Sequence, residues 1–261
     1  MSTDDHTQAA DVGGTAPDLQ PLQRRLPERI RRVQDHIQEA CARAGRDPGQ
    51  VRLVIVTKSA TIEDIQEVLG LGMLDLGENN VQQMRKVWCQ IAELSGRADS
   101  PEGLEKVRWH MIGHLQRNKV RPILPKVCLI HSVDTLRLAE EISKDAVKLG
   151  IQSQILLQIN TSNEPQKYGA PVGAASHLAE QIDTLPNVEL KGLMTMAPLT
   201  LNRDVVRGCF VRAHELFVEM RGERIVGPHF TELSMGMSAD YEIAIEEGAT
   251  IVRIGSAIFA P

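Results

Sequence analysis

Apolar positions along this chain follow two alternating rhythms. Between residues 22 and 44, Leu26, Ile30, Val33, Ile37 and Cys41 recur at three- and four-residue spacing, which predicts an amphipathic helix ended by Gly45-Arg46-Asp47-Pro48-Gly49. Next comes Val51-Arg52-Leu53-Val54-Ile55-Val56-Thr57-Lys58, a nearly unbroken β-branched and aliphatic run that reads as a strand covered on both faces, as in a parallel sheet. From there strand and helix alternate. Further strands are expected at 73–76, 107–112, 127–131, 154–159, 188–194, 230–233 and 250–254. Helices are expected between them, one opened by Thr61 with Asp64 as a capping box, one capped by Asp134, and a short basic one from Gln116.

The eighth strand has no helix of its own in this reading, and the helix before the first strand fills the gap. No GxGxxG follows the first strand, so the pattern predicts an α/β fold with a single (β/α)8 TIM-type barrel and an extra N-terminal helix. An open α/β sheet is the alternative. Residues 1–20 are rich in Asp, Thr, Gly, Ala and Pro without periodicity and read as a disordered tail, leaving 21–261 as one barrel domain. The segment 95–106 reads as a polar connection.

Composition narrows the classes. A formal net charge of -5 argues against a partner held through nucleic-acid phosphates. No apolar run is long enough to cross a bilayer, and the polar, acidic N-terminus is unlike a signal peptide, so a cytoplasmic protein without membrane attachment is expected. Cys41, Cys89, Cys128 and Cys209 are scattered without metal or disulfide spacing and read as reduced thiols. Arg117, Lys119, Arg121 and Lys126 read as a solvated face.

In a barrel the strand C-termini share one face, so the polar residues at strand ends converge there: Lys58, Asn79, His110, Ser132, Asn160, Thr195, Ser234 and Arg253. His110 points inward if Trp109 points outward, as a cofactor neighbour or as a hydrogen-bonded core histidine. The loop Ser234-Met235-Gly236-Met237-Ser238 combines small residues and two hydroxyls that let backbone N–H groups reach an anion, and Gly255-Ser256 offers the same after the last strand. Ser238 reads equally as a helix cap. Arg253, within an apolar strand, is either a floor residue with a carboxylate partner or a permanent donor facing a neutral ring acceptor or an anion. An imine-forming lysine, a phosphate cradle and a buried donor together describe a pyridoxal phosphate site.

The strand bearing Lys58, Gly77-Glu78-Asn79, the run from Trp109 to Lys119, Gly192-Leu193-Met194-Thr195-Met196, Leu233-Ser234-Met235-Gly236-Met237-Ser238 and the run from Val252 to Phe259 resemble the pyridoxal phosphate homeostasis protein family, also called proline synthase co-transcribed proteins. The resemblance covers the chain from about residue 22 onward. It implies a barrel like the N-terminal domain of alanine racemase, with pyridoxal 5'-phosphate held as a Schiff base on Lys58. It also implies phosphate contacts from Ser234, Ser238, Gly255 and Ser256, and Arg253 at the pyridine nitrogen. From their places at strand ends and in the small-residue loop, Asn79, His110 and Gly236 are expected to complete the cofactor site. The expected role is carriage and buffering of the cofactor without an assigned reaction, by a monomer whose recipients would be apoenzymes that use it. A small amino-acid racemase is the alternative. Its second proton donor would have to come from Tyr168 or Tyr241 of this chain, since nothing follows the barrel in this sequence. Asn80 stands where the family usually has tyrosine.

Overall fold

A computed structural model describes residues 26–95, 106–162, 164 and 167–260. The expected tail at 1–20 and most of the connection at 95–106 lie outside the described residues.

Helix α1 (Leu26–Arg43) buries the row Leu26, Ile30, Val33, Ile37, Ala40 and Cys41, as its spacing requires. Strand β1 (Arg52–Val56) leads through Thr57 and Lys58 to α2 (Ile62–Gly70). Thr61 caps α2 with the full reciprocal box, its hydroxyl accepting from the Asp64 N–H and the Asp64 carboxylate accepting from the Thr61 N–H. Then follow β2 (Asp75–Glu78), α3 (Val81–Ser95), β3 (Arg108–Met111), β4 (Val127–Val133), α4 (Leu136–Leu149) and β5 (Ser153–Asn160). A two-residue strand β6 (Ala170–Pro171) precedes α5 (Val172–Asp183), β7 (Val188–Met194), α6 (Arg203–Gly222), β8 (Glu232–Ser234), α7 (Tyr241–Glu246), β9 (Ile251–Ile254) and α8 (Ser256–Phe259).

All pairings are parallel, in the order β4-β3-β2-β1-β9-β8-β7-β5, and a β4–β5 pairing closes the ring; β6 only extends the end of β5. The expected (β/α)8 barrel is therefore present, and the open sheet is excluded by the closure. Alternate strand residues face two different cores. Val54, Leu129, Leu156, Met194 and Ile251 pack together inside the ring, while Ile55, Leu76, Trp109, Ile130, Leu157, Leu193 and Val252 join the larger core beneath the helices.

Local chemistry moved several expected boundaries. Thr135, not Asp134, caps α4, because its hydroxyl accepts from the Leu138 N–H. The basic stretch after β3 is only a 3-10 turn at Arg117–Lys119. β2 starts and ends two residues later than its apolar run suggests, because pairing with β1 and β3 continues through Gly77 and Glu78. The last strand does carry a helix, the four-residue α8. Asn80 caps α3, its side-chain oxygen accepting from the Gln82 and Gln83 N–H groups, which gives this departure from the family pattern a structural use.

Candidate functional site

The C-terminal ends of β1, β8 and β9 lie side by side, since β9 pairs with both β1 and β8. Lys58 follows β1 and is exposed, as is Asn79 after β2. Gly255 packs against Val56 of β1, where a Cβ would stand 3.2 Å from the Val56 Cβ, so the loop after β9 abuts the strand that delivers Lys58.

The expected anion loop is built as a convergence of donors. The Gly255 and Ala257 N–H groups both donate to the Ser238 hydroxyl oxygen, at 3.3 and 3.2 Å. Donors aimed at one oxygen form the arrangement that an oxyanion needs. Gly236 has φ +92, and a Cβ there would come within 2.6 Å of the Ala244 side chain, so the tight turn that brings Ser238 to Gly255 requires glycine. Ser256 is exposed beside it.

Arg253 reaches inward from β9 and is 3 % exposed. Its bonds go to the Ser234 hydroxyl, 2.5 Å from Nη1, and to the Thr195 carbonyl, 3.0 Å from Nη2, rather than to a carboxylate. Burial lowers its pKa to about 10, with Asp240 acting in the opposite sense. Ser234 is wholly buried and its oxygen is shared between Arg253 and His131, whose Nδ1 lies 2.9 Å away. Its hydroxyl is thus engaged inside the barrel, apart from the cradle at Ser238.

From His131 the bonding continues down the interior. His131 Nε2 lies 2.9 Å from His110 Nδ1, and His110 Nε2 lies 3.0 Å from the Asp75 carboxylate, which Arg108 also holds through Nε at 2.8 Å and through Nη2. Burial alone pushes the Asp75 carboxyl up, but the bonds from Arg108 and His110 hold it well below the usual carboxylate range. Both imidazoles are pushed down from 6.5, chiefly by desolvation, His131 furthest.

Of the strand-end residues expected to meet, His110, Ser234 and Arg253 join one hydrogen-bonded chain. Ser132, Asn160 and Thr195 serve the loops: Ser132 donates to the Gly113 carbonyl, Asn160 to the Glu164 carbonyl, and Thr195 bonds the Ile159 carbonyl and the Thr161 hydroxyl. Tyr241 is buried with its hydroxyl 3.0 Å from His36 on α1, and Tyr168 stacks on His114 at 4.4 Å between ring centroids. His131, Asp75 and Glu78 were not singled out from the sequence. The signal for His131 was its parity with Leu129, which sends both side chains into the ring. Glu78 is wholly buried beneath the Lys58 loop, where its carboxylate accepts from the Thr57 hydroxyl at 2.5 Å.

Residues 29–261 match the family described as alanine racemase, N-terminal domain. The pyridoxal phosphate homeostasis protein of Aquifex aeolicus is 42% identical over 89% of this chain and 96% of its own length. The human protein of that name is 35% identical over 88% of this chain and 84% of its own length. Among solved structures, PipY of Synechococcus elongatus with PLP bound superposes with a TM-score of 0.72 at 29% identity, covering 86% of this chain and all of that one (100%). Alanine racemase of Clostridium difficile, at 12% identity and a TM-score of 0.67 over 89% of this chain and 59% of its own, shares the fold.

Proposed function

From the premise that the chain belongs to the alanine racemase N-terminal domain family, and within it to the pyridoxal phosphate homeostasis proteins, we propose that it binds pyridoxal 5'-phosphate and serves in homeostasis of that cofactor. The relatives carry that name and PipY has been solved with the cofactor bound. One observation in this chain carries the reading. A donor cradle at Ser238, Gly255 and Ala257 stands beside a buried arginine whose hydrogen bonds go to a hydroxyl and a carbonyl and to no carboxylate among the described residues, and both adjoin the strand that leads to Lys58.

The residues fit the group. A phosphate suits the N–H groups of Gly255 and Ala257 together with the Ser238 and Ser256 hydroxyls. A pyridine nitrogen suits Arg253, which stays a donor at every physiological pH and so opposes protonation of the ring. The exposed Lys58 amine supplies covalent attachment, and Asn79 borders the same rim. When bound, the cofactor would supply an aldehyde for amines and a ring that withdraws electrons. Arg253 restrains that withdrawal, which suits a carrier that delivers cofactor to apoenzymes inside the cell and turns over no amino acid. The racemase alternative needs a second proton donor. Tyr241 is committed to α1, and Tyr168 is stacked on His114.

The test is the visible spectrum of the purified chain before and after borohydride, beside Lys58→Ala. We expect a band that borohydride removes and that the variant lacks, while the variant melts within a degree or two of the parent because an exposed side chain leaves no cavity. No band after addition of pyridoxal phosphate would sink the cofactor reading. Turnover of free amino acids by the loaded protein would favour the racemase.

A further inference from the structure

The bonds that run through the barrel interior have one direction. Asp75 is ionised and can only accept, so His110 carries its proton on Nε2 and donates it there. A neutral His110 then offers a lone pair at Nδ1, which must accept from His131 Nε2–H. A neutral His131 in turn offers Nδ1 to the Ser234 hydroxyl proton. The lone pairs of Ser234 are left for Arg253 Nη1–H. From Arg253 at the upper end to Asp75 at the lower end every donor therefore points the same way, and the half-exposed Arg108 donates to Asp75 from the far side and closes the run.

Two consequences follow at the upper end. The Ser234 proton is turned down into the barrel, away from the face that carries Lys58. The guanidinium is pinned at two corners, Nη1 on Ser234 and Nη2 on the Thr195 carbonyl, which fixes its plane. A close-packed apolar interior would stabilise the barrel without the desolvation of two imidazoles, so a purely structural role gives no reason for them. We propose that His131 and His110 are positioning residues for Arg253, holding its guanidinium through Ser234 in the orientation that meets the cofactor ring. This rests on the cofactor reading above. The charged groups around the pair are Arg52 on β1, Asp75 on β2, Arg108 on β3 and Arg253 on β9, and Cys128 on β4 also lies close to Asp75.

The first test needs no cofactor. Imidazole 15N spectra of the free protein should show both histidines neutral with the proton on Nε2; an Nδ1–H form of either breaks the chain and overturns the proposal. The second compares His131→Leu, His131→Asn and Ser234→Ala as full-length proteins. Each of these changes removes one buried hydrogen bond that holds the guanidinium, so His131→Leu and Ser234→Ala should each weaken cofactor binding about tenfold and shift the pH profile of the borohydride-sensitive band. His131→Asn keeps an acceptor facing Ser234 and should bind within about threefold of the parent, even where it melts as low as the leucine variant. Equal binding by the Asn and Leu variants, or parental binding and pH profile in Ser234→Ala, would overturn the proposal. Ser234→Ala changes little volume and so serves where His131→Leu fails to fold. Absence of any band in the parent protein would instead refute the cofactor reading.

Discussion

Glu78 shows how a single side chain can prepare a site without facing it. It points out of the ring, under the Lys58 loop, and one oxygen of its carboxyl accepts from the Thr57 hydroxyl while the other meets no side-chain donor among the described residues. Burial raises its pKa above 4.5, with the bonds from Thr57 and from the Asn79 backbone pulling the other way. A carboxyl raised in the folded state contributes stability that is whole below its unfolded value and declines as pH rises through the folded one. Glu78→Gln should therefore remove the loss of stability that Glu78 imposes as pH rises above 4.5; urea midpoints at a series of pH values would reveal it, and parallel curves for the two proteins would contradict this account. Lys58 was legible from its place at the end of an apolar run. Glu78 was not, because its meaning lies in a contact with Thr57, twenty-one positions away.

Among the elements, β7 and β8 depend on one backbone position. Gly192 has φ +155, and a Cβ there would sit 1.7 Å from the Glu232 carbonyl oxygen, inside the β7–β8 pairing. The register of β7 against β5 also shifts beside it, between Ile155 and Leu156. Gly192→Ala should cost more than about 2 kcal/mol, since both the conformation and the close approach are denied to alanine. A chemical denaturation midpoint within error of the parent would disprove that. Helix α2 illustrates the reverse case: Thr61 and Asp64, three residues apart, specify their own cap, so its start was readable directly. The start of α4 was misread by one residue because Asp134 and Thr135 are both capping types, and only the backbone around them selects Thr135.

At the scale of the whole molecule, α1 packs against α7 and α8 on one side and α2 on the other, so it fills the place in the outer ring of helices that the short α8 leaves open. It bonds Tyr241 through His36, reaches the Ile258 carbonyl through Arg29, and pairs Arg43 with Glu242 and Glu246. Its buried row also contributes apolar burial on the order of 10 kcal/mol as an upper bound, comparable to the net stability of a domain. A chain beginning after Arg43 should consequently lose its near-ultraviolet circular dichroism and its cofactor binding together. A truncated protein that keeps both would show α1 to be dispensable. The barrel and its sense of alternation were written in local periodicity, because a strand buried on both faces and an amphipathic helix each declare themselves within a dozen residues. The places of Lys58, the glycine-bearing loop after β8 and Arg253 at one end of the barrel were legible for the same reason: each breaks an apolar pattern at a strand end. The bonding from Asp75 through His110, His131 and Ser234 to Arg253 was not. It joins residues as far apart as 103 positions, and which polar groups share the interior depends on closure, strand register and bulges. Those are properties of strands meeting one another, and no single stretch of sequence contains them.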